Sequence, residues 1–197
     1  LIINKLLSKI SYGNFLDLGS FHPIHFSNTF LLYLRGWRGV SIDGNKEMIE
    51  ISKKIRPLDK NIFSYLSNEE SENYYVFNRD RPATNRIVSS IDTVDKKKES
   101  IKIRTSILKN VIKNYEKDLE KLYYLNIDLE FQDFNIIRNF DFKKYHPLVI
   151  SIEIHNFEYN KKNEVSEFLE NLNYLLHSYV RPTAIYVDKF FKENKFN

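Results

Sequence analysis

Four short apolar runs in this chain end on or beside an acidic residue, and longer amphipathic stretches separate them. Phe15-Leu16-Asp17-Leu18 stops at Gly19, Val40-Ser41-Ile42 at Asp43, Leu122 to Ile127 at Asp128, and Leu148 to Ile152 at Glu153. Short continuous apolar runs alternating with helical periodicity are the pattern of βαβ units around a mostly parallel sheet. In such sheets ligands bind in the crevice at the carboxyl ends of the strands. The four acidic ends are therefore expected to converge on one site.

The rest of the chain fits this frame. Helices are predicted over Ser27 to Leu34, with Ser27 or Asn28 as N-cap, and over Lys46 to Ile55, closed by Arg56-Pro57. Asn61 to Leu66 reads as a third strand. Ser106 to Leu119 carries Ile107, Leu108, Val111, Ile112 and Tyr115 as a helical stripe. Helices are also expected at Phe134 to Arg138 and Val165 to Leu176, with a last strand at Ala184 to Val187. Residues 68–100 lose the helical rhythm, apart from an extra strand at Tyr74 to Phe77. They are read as an irregular insertion, placed as an acceptor-side lid on a single domain spanning 1–197.

Composition narrows the function classes. The chain has 197 residues, 42% of them hydrophobic and 15% aromatic, which is ample for one packed core. There is no Cys, so a disulfide scaffold, a thiolate metal site and cysteine nucleophilic chemistry are excluded. Mean hydropathy is −0.46 and no long apolar run occurs, so no membrane span is expected. Leu1 to Leu7 is too short and interrupted for a signal-peptide core, which reads as a cytoplasmic protein. The net charge is +4, but Asp and Glu are interspersed throughout and no arginine-rich arm or aromatic platform appears. Nucleic acid is not expected as a partner.

The turn Asp17-Leu18-Gly19-Ser20-Phe21-His22 has one glycine where a dinucleotide fingerprint needs three. That disfavours a pyrophosphate and leaves a phosphate-free nucleoside as the better ligand. Asp43, about 20 residues further on at the end of the second strand, has the place of a carboxylate that holds a ribose. His22 and His25 read as polar loop residues, Trp37 as packing, and Tyr74 to Phe77 as core or edge.

Beyond these patterns, the stretch Phe15 to Pro23 followed by Ser27-Asn28-Thr29 resembles the first motif of the FkbM-type methyltransferase family. The resemblance continues through Arg35-Gly36-Trp37-Arg38-Gly39-Val40-Ser41-Ile42-Asp43 and Arg56-Pro57-Leu58-Asp59. It returns at Leu125-Asn126-Ile127-Asp128-Leu129-Glu130 and closes with Phe140-Asp141-Phe142, Tyr145, Pro147 and Ile152-Glu153. Two departures stand out: Phe131 replaces a usual Gly, and Asn173-Tyr174 lies where the family often has a glycine.

The resemblance implies a Rossmann-like class I methyltransferase fold, S-adenosylmethionine as donor, and methylation of a hydroxyl on a sugar, glycan or natural product. It implies cofactor contacts at Asp17, Gly19, Ser27, Asn28, Thr29 and Asp43. Their neighbours Ser20, Phe21, Gly44 and Asn45, with Leu66-Ser67 at the third strand's end, complete the expected contact set. Asp128, Glu130 and His155 are the candidate catalytic residues, with Glu130 or His155 as base. Asp128, Glu153 and His155 have the chemistry of metal ligands, although a divalent cation is not favoured. The expected partner is a small-molecule or glycan acceptor, with homo-oligomerisation left open. A catalytically inactive cofactor-binding module and a nicotinamide-dependent oxidoreductase are the competing readings.

Overall fold

The computed structural model describes residues 2–90, 98–130, 132–155, 157–158 and 163–196. After α1 (Ile2–Leu6), strands and helices alternate as β1 (Asn14–Leu18), α2 (Phe30–Leu34), β2 (Arg38–Asp43), α3 (Lys46–Ile55) and β3 (Lys60–Phe63). The middle of the chain holds β4 (Leu66–Ser67), β5 (Glu72–Val76), β6 (Arg86–Val88), β7 (Ser100–Arg104), β8 (Ser106–Ile107) and α4 (Leu108–Ile112). The last part runs β9 (Leu122–Ile127), α5 (Asp133–Arg138), β10 (Val149–Glu153), α6 (Glu164–Asn171), β11 (Tyr174–Val180), β12 (Thr183–Asp188) and α7 (Lys189–Phe196).

Seven strands form the central sheet in the order β11-β12-β10-β9-β1-β2-β3. The five from β3 to β10 are parallel, and β12 pairs antiparallel with both β10 and β11. The fold is thus mixed α/β with a mostly parallel sheet, as the alternating pattern predicts. Alternation along each strand divides the core in two. Leu16, Leu18, Val40, Ile42, Ile150 and Ile152 pack with Ile112, Ile136, Ile137 and Leu169. Phe15, Tyr124, Val149 and Ile185 pack with Leu6, Leu7, Leu32 and Trp37. Both faces are covered, which is why the strands read as continuous apolar runs. Trp37 is fully buried in the second cluster, in the packing role expected of it.

Several predicted elements differ. The third strand stops at Phe63, and Leu66-Ser67 leaves the sheet to pair with Ser106-Ile107. The predicted helix from Ser106 therefore begins as strand β8, becomes helical at Leu108, and continues from Lys113 as a tighter turn broken at Tyr115 (φ −121°, ψ 20°). The predicted helix over Val165 to Leu176 ends at Asn171, and its last residues belong to β11. Asn173, where the family resemblance places a glycine, has φ 65°, a left-handed turn that asparagine accepts better than most side chains. Among the described residues of the insertion, β5 and β6 pair with each other and, with β7, make a three-stranded antiparallel sheet. Lys96, Lys97 and Phe131 lie outside the described residues. Among the described residues, no helix is long and apolar enough to cross a membrane.

Candidate active site

The chain leaves β1 toward β2 on one side and, much later, returns through β9 on the other side of β1. This reversal opens a crevice between the carboxyl ends of β1 and β9, the place where open α/β sheets bind ligands. A cavity lies there. Its walls include Asp17, Gly19, Ser20, Phe21, Ser27, Asn28, Asp43, Gly44 and Leu66, together with Asp128 and Glu130. The sequence reading named all of these.

Gly19 closes the turn with φ +77°, and a Cβ built on it would stand 1.6 Å from the carbonyl oxygen of Asp128. The glycine thus serves the close approach of two backbones at the switch point. It lets the ends of β1 and β9 come together beneath the cavity.

Asp43 is bound in place by its own loop. Its Oδ2 accepts the Phe21 N–H at 2.7 Å and its Oδ1 the Asn45 N–H at 2.6 Å. Phe21 has φ 42°, a left-handed conformation that costs a non-glycine residue energy and aims its N–H at the carboxylate. Burial pushes the Asp43 carboxyl up to about 6, against the two N–H bonds that lower it. Each oxygen has accepting capacity left for a ligand hydroxyl.

Below the cavity runs a polar row that sequence reasoning missed. Strand register sets Ser41, Asp17, Asn126 and Ser151 side by side across four neighbouring strands. Asn126 donates to Asp17 Oδ1 at 2.8 Å, and Ser151 donates to Asn126 Oδ1 at 2.6 Å. Thr29 donates to Asp17 Oδ2 at 2.6 Å, and Asn28 donates to Asn126 Oδ1 at 3.1 Å. Thr29 itself accepts from Nη1 of Arg56 at 3.0 Å. Arg56 is paired with Asp59 at 2.8 Å, both side chains essentially inaccessible. Burial raises the Asp17 carboxyl, opposed by Thr29, Arg56 and Asn126. Each member of the row is a polar residue one or two places before a strand end, inside an otherwise apolar run, and that signal was available in the sequence.

Four predicted residues are not on the cavity wall. Thr29 is buried beneath it as the partner of Asp17. Asn45 caps α3 by accepting the Met48 N–H at 3.3 Å. Ser67 is buried and donates to Asn68. His155 stands behind Glu153, its Nε2 3.2 Å from Glu153 Oε2.

The structure adds residues as well. The rings of Tyr65 and Tyr75 lie 4.9 Å apart between centroids, tilted 54° to one another, and line the cavity beside Gly44. Tyr75 is buried, as its strand pattern suggested, and also lines the cavity. The three-stranded sheet contributes Arg86 and Ile87, and the turn before it Pro82, Ala83 and Asn85. His25 also lines the wall, while His22 turns its Nδ1 onto the N–H groups of Ile24 and His25.

Asp128, Glu130 and Glu153 crowd one end of the cavity. Burial first, then the neighbouring carboxylates, raise all three carboxyls. The contact between Asp128 and Glu153 lowers the first carboxyl and raises the second, which favours Glu153 as the protonated member of the pair. Glu130 sits in the left-handed region at φ 49°. Donor atoms of Glu130, Glu153 and His155 all lie within 4.8 Å of one another, a set that contains Glu130 in place of the expected Asp128.

The family model described as "Methyltransferase FkbM domain" matches residues 17–179, which takes in the whole of this site. No curated protein and no solved structure matches the chain.

Proposed function

The chain belongs to the FkbM methyltransferase domain family, and we propose that it transfers the methyl group of S-adenosylmethionine to a hydroxyl oxygen of a small-molecule or glycan acceptor. We read its seven-stranded sheet, in which β12 runs against the other six strands, as the class I methyltransferase fold.

The observation that carries the donor assignment is the charge of the cavity. Among the described residues, five carboxyl groups, Asp17, Asp43, Asp128, Glu130 and Glu153, line it against the single guanidinium of Arg86. A pyrophosphate brought there would meet carboxylates, which argues against a nicotinamide dinucleotide. A sulfonium with an ammonium group is attracted by the same walls. Two further features suit a nucleoside bearing an amino-acid tail. Ser20 Oγ is buried at the cavity wall without a hydrogen-bond partner, and Asp43 has accepting capacity to spare.

In this reading Asp43 accepts the two ribose hydroxyls, and the nucleoside base lies toward Gly44, Tyr65 and Tyr75. The methyl carbon is displaced in line, so the protein's main task is to align donor and acceptor. The hydroxyl must also give up a proton as the new C–O bond forms, and the acidic group around Asp128 and Glu130 is placed to favour that loss. Strand β6, through Arg86 and Ile87, forms the acceptor side of the cavity.

Asp43→Ala is expected to weaken S-adenosylmethionine binding at least about tenfold, since charge-assisted hydrogen bonds contribute about 1.5–3 kcal/mol each. Isothermal titration, with circular dichroism to verify the fold, measures this. An unchanged dissociation constant would remove Asp43 from the site. The unmutated protein should also lose affinity as pH falls below about 6, because the protonated carboxyl cannot accept both hydroxyls. Fold stability runs the opposite way. A carboxyl raised from 3.8 to about 6 contributes stability that is fully present below 3.8 and lost as pH rises through about 6. A drop in affinity at low pH therefore cannot be ascribed to Asp43 loosening the fold.

A further inference from the structure

We propose that Glu130, Glu153 and His155 bind one divalent cation, with two carboxylate oxygens and one imidazole nitrogen as ligands. Their donor atoms all lie within 4.8 Å of one another, and Glu153 Oε2 is 3.2 Å from His155 Nε2. Donors bound to one ion at about 2.0–2.2 Å stand about 3 Å apart when adjacent. The Glu153–His155 distance already has that value, and only Glu130 needs a small movement.

A second observation points to the same ion. Glu153 Oε2 is enclosed, on a side chain 10% exposed, and accepts no hydrogen bond. A buried carboxylate oxygen without a donor is costly, and a bound cation supplies the missing partner. Such an ion also relieves the mutual repulsion of Asp128, Glu130 and Glu153, and Asp133 adds a further negative charge to the group. Arg86 lowers the Glu130 carboxyl, which among the described residues is one cation against four carboxyls.

Two oxygens and one imidazole suit Mn²⁺ or Zn²⁺ better than the all-oxygen cages typical of Ca²⁺. Three protein ligands leave coordination positions open, and Glu130 and Glu153 both line the cavity. An acceptor hydroxyl could take one of these positions. That role, unlike the ion site itself, rests on the methyl-transfer reading.

The test is a Mn²⁺ titration of the 197-residue chain after EDTA treatment and desalting. The electron paramagnetic resonance signal of free Mn²⁺ reports what is bound. One ion per chain is expected, competed by Zn²⁺. His155→Ala and Glu153→Gln should each weaken binding at least about tenfold, with circular dichroism unchanged and, in His155→Ala, whose side chain is off the cavity wall, S-adenosylmethionine affinity unchanged as well. His155 is about one-third exposed, so its removal leaves the fold intact even if Glu153→Gln does not. No bound Mn²⁺ at millimolar concentration would overturn the site and leave Glu153 and His155 as a plain ion pair. Unweakened binding in His155→Ala would overturn it too. Mn²⁺ binding in a protein that fails to bind S-adenosylmethionine would uphold the ion site and sink the methyl-transfer reading instead.

Discussion

Asp59→Ala is expected to destabilise the fold by about 3–5 kcal/mol, a large share of the 5–15 kcal/mol typical of a whole domain. Asp59 accepts from Arg56 Nε at 2.8 Å through Oδ2 and from the Gly39 N–H at 3.0 Å through Oδ1. Removing it orphans a backbone donor and leaves a guanidinium unpaired at a position 1% exposed. Arg56 still stacks near the rings of Phe15 and Tyr33, each about 5.1 Å from its Cζ, but those contacts do not replace a carboxylate. The double variant Arg56→Met, Asp59→Leu should recover most of the loss, because the pair is itself costly to desolvate. Urea denaturation midpoints measure both. A single-variant loss below about 1 kcal/mol is what a solvent-screened pair would give, and it would contradict the burial. The pair also matters for function. Arg56 donates to Thr29 and Thr29 to Asp17, so disturbing it should loosen the floor of the cavity as well as the core.

The parallel sheet was legible because burial on both faces writes strands as unbroken apolar runs, and each run was closed by an acidic residue. The residues at those strand ends, Asp17, Asp43, Asp128 and Glu130, were legible for the same reason. Ser41, Asn126 and Ser151 were not used, although each interrupts such a run. What the sequence does not state is the register that sets them beside Asp17.

The misread elements share one cause. Leu172, Leu175 and Leu176 continue the stripe of the preceding helix at i, i+3 and i+4, and only the left-handed turn at Asn173 converts the stripe into an edge strand. Leu108, Ile112 and Leu119 are buried as a helical period predicts, yet the segment opens as a strand because Ser106-Ile107 pairs with Leu66-Ser67. Tertiary pairing overrode a correct local period at both places. The insertion was harder still. Its strands pair only with one another, and the half-buried β6 shows no clean alternation.

Glu130→Gln is expected to slow methyl transfer by about a hundredfold while S-adenosylmethionine affinity stays within about twofold. The exchange is nearly isosteric and removes the negative charge at the end of β9. The carboxylate's contribution grows as the acceptor hydroxyl loses its proton, so it lowers the barrier without tightening the ground state. Single-turnover rates with saturating donor, read beside titration calorimetry, separate the two effects. Equal losses in rate and donor affinity would place Glu130 in the donor site instead. Full activity on the true acceptor would show that Glu130 is not needed for proton loss and would turn attention to His155. The dependence on Mn²⁺ then tells how Glu130 acts. If it is an ion ligand, the variant's rate should climb with added Mn²⁺ toward the unmutated value. A base acting alone would leave that rate flat across the titration, and the unmutated enzyme would be indifferent to EDTA.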